Sequence, residues 1–152
     1  MGDLTKNFTR WEFRCQCGCG YDLINAPLVK QIQRFRDLLE IYTGYGIPIT
    51  ISSGCRCEEH NKKVGGAKNS FHAMGLAADL AFSLRPMLDM GRIIQTANVS
   101  NIMNVGGIGV YPERNFIHLD VRPIHTATTW IKQDGEYAFN VDFRHELAKM
   151  PH

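Results

Sequence analysis

A chain of 152 residues, 44% hydrophobic and 21% charged, has the length and composition of one folded domain with its own core. A net charge of +2 with no basic block gives no footing for nucleic acid. No apolar run is long enough to span a membrane, and residues 1–14 lack the apolar stretch of an uncleaved signal peptide.

In chain order, residues 1–24 read as an irregular lead-in, pinned to the domain by Leu4, Phe8, Trp11 and Phe13, with a Cys-Gly turn at 15–20. Residues 25–122 form the core that carries the motifs. A helix starts near Asn25 with Pro27 in its first turn, and Gly44 and Gly46 stop it. Leu28, Ile32, Phe35, Leu39 and Tyr42 recur along it at helical spacing and make one buried stripe. Residues 47–52 read as a strand, 58–63 as a short helix, and 77–82 as a second strand. Pro86 opens a further helix with Met87, Met90, Ile94 and Ala97 inward, and a loop covers 98–105. Residues 108–111 and 116–122 read as strands joined by a turn through Pro112. Residues 123–152 are a C-terminal extension, with a hairpin turn at Asp134-Gly135 and a closing helix over 143–149. The order predicts a single α+β domain, a small and mostly antiparallel sheet with helices packed on it. No linker or repeat divides it.

The chemistry concentrates in Ser70-Phe71-His72-Ala73-Met74-Gly75-Leu76-Ala77-Ala78-Asp79. An imidazole and a carboxylate are both ordinary zinc ligands. Gly75 lets the chain turn between them, and Ala77 and Ala78 leave room. A third ligand is offered by Phe116-Ile117-His118-Leu119-Asp120-Val121-Arg122. Strict alternation turns Ile117, Leu119 and Val121 to a core and Phe116, His118, Asp120 and Arg122 the other way. Three protein ligands with one open position describe a catalytic zinc, not a structural one.

That ordered set resembles the zinc D-Ala-D-Ala carboxypeptidases and L-alanyl-D-glutamate endopeptidases of peptidoglycan. The hedgehog signalling domain and the vancomycin-resistance dipeptidases are similar more distantly. The likeness extends through Ile51-Ser52-Ser53-Gly54-Cys55-Arg56, Asn61, Val64-Gly65-Gly66-Ala67 and residues 106–112, so it covers most of 8–122. It implies a hedgehog/DD-peptidase-like fold and one zinc per chain, held by His72, Asp79 and His118. It further implies hydrolysis of a bond involving D-amino acids in the peptide stem, by carboxypeptidase or endopeptidase cleavage. Arg56 matches the family's arginine beside the substrate, where a planar fork suits a carboxylate. Ser70 is a candidate for substrate binding or for capping its turn, and Tyr111 and Trp130 for lining a groove or packing the rim.

The general base departs from the pattern. Some relatives carry an acid three residues before the last zinc histidine, where this chain has Asn115, and others a histidine two before it, where this chain has Phe116. Asp120 shares a strand face with His118 and is taken as the base, its other reading being to orient a zinc ligand. Glu113 and His125 are further candidates. His60, His145 and His152 read as surface residues.

Five cysteines, an odd number, lie at Cys15, Cys17, Cys19, Cys55 and Cys57. C-x-C-x-C is not the C-x-x-C spacing of zinc ribbons. Disulfides joining the two clusters, a second metal site and plain buried thiols all stand as readings, and a thiol-ligated zinc module is a third function class. The second class is a wall-binding or phage structural component that keeps the fold without turnover, for which Asn115 speaks. The expected setting of this monomer is the cell wall, periplasmic or extracellular; either a leader has already been removed from this sequence, or the protein is made without one, as a phage lysis enzyme (endolysin) would be.

Overall fold

The computed structural model describes residues 2–83, 106–123, 128–143 and 145. Its helices are α1 (Arg10–Phe13), α2 (Ala26–Thr43) and α3 (Glu58–Lys63). Its strands are β1 (Ile49–Ser53), β2 (Ala77–Phe82), β3 (Gly107–Tyr111), β4 (Phe116–Asp120), β5 (Thr128–Gln133) and β6 (Glu136–Phe139). They form one sheet in the order β1-β2-β4-β3-β5-β6. Every pairing is antiparallel except β3 with β5. This is the small α+β architecture expected.

The period-two alternation of the strands divides the sheet into two faces. Ile51, Leu80, Ile108, Val110, Ile117, Leu119 and Ile131 enter the core on one face. Helix α2 supplies Leu28, Val29, Ile32, Phe35 and Leu39 to that core. The opposite face receives Asp79, His118, Gly109 and Trp130, which stand side by side across four strands.

Helix α2 begins after Asn25 with Pro27 in its first turn. It ends at Gly44, whose φ of 76° is the left-handed cap that glycine adopts without a Cβ penalty. Tyr42 does not join the buried stripe. It sits in the last turn past Leu39 with 48% of its surface exposed, and Val29 belongs to the stripe instead. Trp11 also departs from expectation. Helix α1 runs through it, and residues two apart on a helix point to nearly opposite sides, so Phe13 goes inward and Trp11 is 75% exposed. Arg14 lies over its ring.

The Asp134-Gly135 turn has φ of 51° and 81°, the pair of positive angles that joins β5 to β6 as a tight hairpin. Phe143 is fully buried. The expected helix from Pro86, the loop 98–105 and most of 143–149 lie outside the described residues.

The lead-in crosses the end of β1 at close range. The Cys55 N–H donates to the Phe13 carbonyl at 2.9 Å, and a Cβ on Gly54 would come 2.2 Å from that oxygen. Backbone cannot swing away as a side chain does. Gly54→Ala is therefore expected to lower stability by roughly 1–3 kcal/mol. Denaturant unfolding checks this, and an unchanged midpoint would show that the approach is not tight.

Candidate metal centre

Register brings the ligand candidates together. Asp79 on β2 pairs with His118 on β4, so two side chains 39 residues apart project from neighbouring strands on the same face. His72 reaches them from the turn at 71–75, where Gly75 has a φ of 67°. The segment 54–56 holds His72 at both ends. Its Nδ1–H donates to the Gly54 carbonyl at 2.8 Å, and the Arg56 N–H donates to the His72 carbonyl at 3.0 Å.

The three facing atoms are His72 Nε2, Asp79 Oδ1 and His118 Nδ1. Their separations are 3.2 Å between the imidazoles, 3.0 Å from His118 to Asp79 and 3.3 Å from His72 to Asp79. Ligands about 2.05 Å from a tetrahedral zinc stand about 3.3 Å from one another. The triangle therefore already has the dimensions of three corners of such a site. The donor set of two nitrogens and one carboxylate oxygen also suits zinc.

Each imidazole has its tautomer set from behind. The Gly54 carbonyl takes the Nδ1 proton of His72 and leaves Nε2 as a lone pair. On His118 the outer partner is Asp120, whose Oδ2 accepts from Nε2–H at 3.0 Å. Asp120 is completely buried. It also accepts from the Arg122 backbone N–H and from the Arg122 guanidinium through both oxygens. Arg122 is in turn packed over the ring of Phe71. Burial alone would raise the Asp120 carboxyl, but the bonds from Arg122 and His118 outweigh it and bring it down to about 2. This carboxylate is turned to the far nitrogen of His118, away from the three converging atoms. The geometry is that of an orienting group, not of a base beside the metal.

Arg56, expected beside the substrate, is bonded within the protein. Its Nη2 donates to Asp79 Oδ2 at 3.0 Å and its Nε to Ser53 Oγ at 2.8 Å. This bond occupies one carboxylate oxygen and leaves Oδ1 for the histidines. Burial opposes ionisation of Asp79, yet the imidazoles of His118 and His72 against its Oδ1 hold it well below the usual carboxylate range. His118, between Asp79 and Asp120, responds in the other sense. Burial would lower its pKa, and the two carboxylates raise it above the usual 6.5.

Trp130 is a buried wall of the site. Its ring centroid lies 5.3 Å from that of His118, and its Nε1–H donates to the Tyr111 hydroxyl at 3.1 Å. Gly109 makes this possible, since a Cβ there would lie 2.2 Å from the indole. Tyr111 stacks on Phe116 at 4.3 Å. Ser70 lies in the turn before His72, with its N–H bonded to the Ala67 carbonyl and its own carbonyl to the Ala73 N–H. Both bonds are backbone turn contacts.

Asn115 has a task of its own. It adopts φ 52° after the turn at Pro112–Arg114, and its amide donates to the Phe82 carbonyl at 2.6 Å, closing the strand edge. Glu113 accepts from the Asp134 N–H at 2.7 Å and so is directed to the β5–β6 hairpin. His125 lies outside the described residues. His60 is not a free surface residue, because its Nδ1 lies 3.2 Å from Cys15 Sγ.

Beside Asp79 opens a cleft of about 400 Å³, lined among others by Ser52, Ser53, Arg56, Arg114 and Phe116. Arg114 carries no motif and was not singled out from sequence. Only the turn at Pro112–Arg114 brings it to the cleft that Arg56 also lines.

A family model described as Peptidase M15 matches residues 6–120. The chain belongs to the peptidase M15 family. It is 32% identical over 105 residues to a protein of Escherichia coli K12 named peptidoglycan L,D-endopeptidase MepK, covering 66% of this chain and 52% of that one. It is 31% identical over 88 residues to a probable peptidoglycan L,D-endopeptidase MepK of Haemophilus influenzae, covering 58% of this chain and 41% of that one. The chain thus spans about half the length of the curated relatives it matches.

Two outcomes are expected from this geometry. Asp120→Asn should weaken zinc binding by roughly 10–100-fold, with turnover recovering in excess zinc; normal affinity with lost turnover would restore the base role. Zinc must also displace the proton that His118 retains between its carboxylates. Affinity should therefore fall as pH drops and still rise past pH 6.5, with proton release visible by calorimetry in buffers of different ionisation enthalpy.

Proposed function

We propose that this chain is a zinc-dependent endopeptidase that cuts an L,D-peptide bond in the peptide stem of peptidoglycan, acting as a monomer at the cell wall. The observation that carries this reading is the triangle of His72, Asp79 and His118 beside a cleft lined by two arginines. Family membership supports the hydrolytic class, and the names of the relatives support endopeptidase over carboxypeptidase.

When bound, zinc would supply a water acidic enough to ionise near neutral pH and would polarise the scissile carbonyl. The protein's part is to hold that chemistry in place. His72 and His118 present lone pairs whose direction is set by the Gly54 carbonyl and by Asp120. Arg56 steadies Asp79 while its guanidinium faces the cleft. Arg114 and Arg56 together suit a carboxylate of the stem, and Trp130 keeps one side of His118 dry. Asp120 acts as a positioning residue. The reading of an inactive wall-binding component draws on Asn115, and that residue is already employed in closing β2 against the β3–β4 turn.

Digestion of purified peptidoglycan, with the new chain ends identified by mass spectrometry, tests the proposal. Fragments ending at an L,D-bond are expected, in zinc-loaded protein only. Release of free D-alanine alone would make it a carboxypeptidase, and no cleavage by zinc-loaded protein would favour the binding reading. Arg114→Ala should raise KM about 10-fold or more with zinc content unchanged, as loss of a charged hydrogen bond implies. Arg56→Lys should lose both zinc affinity and turnover, because a point charge cannot span Asp79 and Ser53 together.

A further inference from the structure

Four of the five cysteines meet at one place. The sulfurs of Cys15, Cys17 and Cys19, from the turn after α1, and of Cys57, at the start of α3, all lie within 4.8 Å of one another. Cys15 and Cys17 are 3.4 Å apart, and Cys17 and Cys57 are 3.6 Å apart. All are free thiols. Cysteine is among the most buried residue types, yet Cys17 and Cys19 are exposed, so packing does not account for them. The corners of a tetrahedron drawn around zinc at about 2.3 Å stand about 3.8 Å apart. The observed spacings sit close to that value, and far above the roughly 2.05 Å of a sulfur–sulfur bond.

The surroundings are arranged for negatively charged sulfur. The Cys57 N–H points to Cys15 Sγ at 3.3 Å, the Tyr21 N–H to Cys19 Sγ at 3.4 Å and the His60 N–H to Cys57 Sγ at 3.4 Å. Three of the four sulfurs thus receive a backbone donor, which favours thiolate over thiol. His60 Nδ1 stands 3.2 Å from Cys15 Sγ as a side-chain neighbour. The fifth cysteine is set apart. Cys55 is buried and its thiol donates to the Tyr21 carbonyl. The odd count therefore divides into four and one.

We propose that Cys15, Cys17, Cys19 and Cys57 form a second, structural zinc site, separate from the His72–Asp79–His118 centre. The C-x-C-x-C run is not a zinc-ribbon half. It supplies three ligands from one turn, and the fourth comes from 38 residues further on. Four protein ligands close the coordination sphere and leave no position for substrate, which assigns the site to structure. It ties the lead-in to residue 57, next to Arg56, and so braces the segment that holds His72 and Asp79. This inference does not rest on the proposed peptidase activity.

Metal analysis of the untagged full chain, purified in zinc, tests it. About two zinc per chain are expected. His118→Ala should keep about one, and Cys17→Ser with Cys57→Ser should also keep about one while lowering Tm. Cobalt substitution gives a second readout. In His118→Ala, a thiolate-to-cobalt charge-transfer band in the near ultraviolet is expected, whether or not the serine variant folds. One zinc in the wild type, with none left in His118→Ala, would overturn the site. So would a cobalt spectrum without thiolate character, or loss of four titratable thiols to disulfides in the denatured, unreduced chain.

Discussion

The pairing of Asp79 with His118 across β2 and β4 is the constraint on which the rest of the structure depends. A strand presents every second residue to a given face, so a slip of one position would turn one of these groups into the core. The apolar neighbours forbid that slip. Leu80, Ile117 and Leu119 are fully buried on the other face, and moving all three out would cost roughly 5–9 kcal/mol whether or not a metal is bound. Packing on the core side thus sets the chemistry on the other side. Aligning the two groups needs no loop.

His72 is held differently. It comes from a turn, and its position is inherited from the segment 54–56, itself pressed against Phe13. Arg56 belongs to that same segment and binds Asp79. One short stretch of chain therefore fixes the third ligand and braces the second. Its guanidinium serves two purposes at once, neutralising a part-buried carboxylate and lining the cleft beside it.

Much of this was legible in the sequence, and the reasons differ by residue. The alternation over 116–122 announces its two faces because strand geometry has a period of two, and Gly75 announces a turn because few other residues take its φ. Residues that meet only through tertiary structure leave no local trace. Arg114 reaches the cleft through a turn, and the cysteines converge from two segments whose internal spacing matches no familiar pattern. Spacing from His118 alone makes Asn115 read as a missing acid, whereas its positive φ and its bond to Phe82 explain an asparagine there. Hydrophobicity alone points Trp11 and Tyr42 inward, and both stand where a helix turns them to solvent.

The contact between Gly109 and Trp130 binds the fates of several positions. Any side chain at 109 demands a smaller one at 130, but shrinking 130 uncovers His118 and strips the Tyr111 hydroxyl of its indole donor. None of the three can drift alone without leaving a clash, a void or an unpaired polar group. Among descendants of this sequence they should therefore change as a set or stay as they are, so that variation in this wall is inherited in blocks while the surrounding surface varies residue by residue.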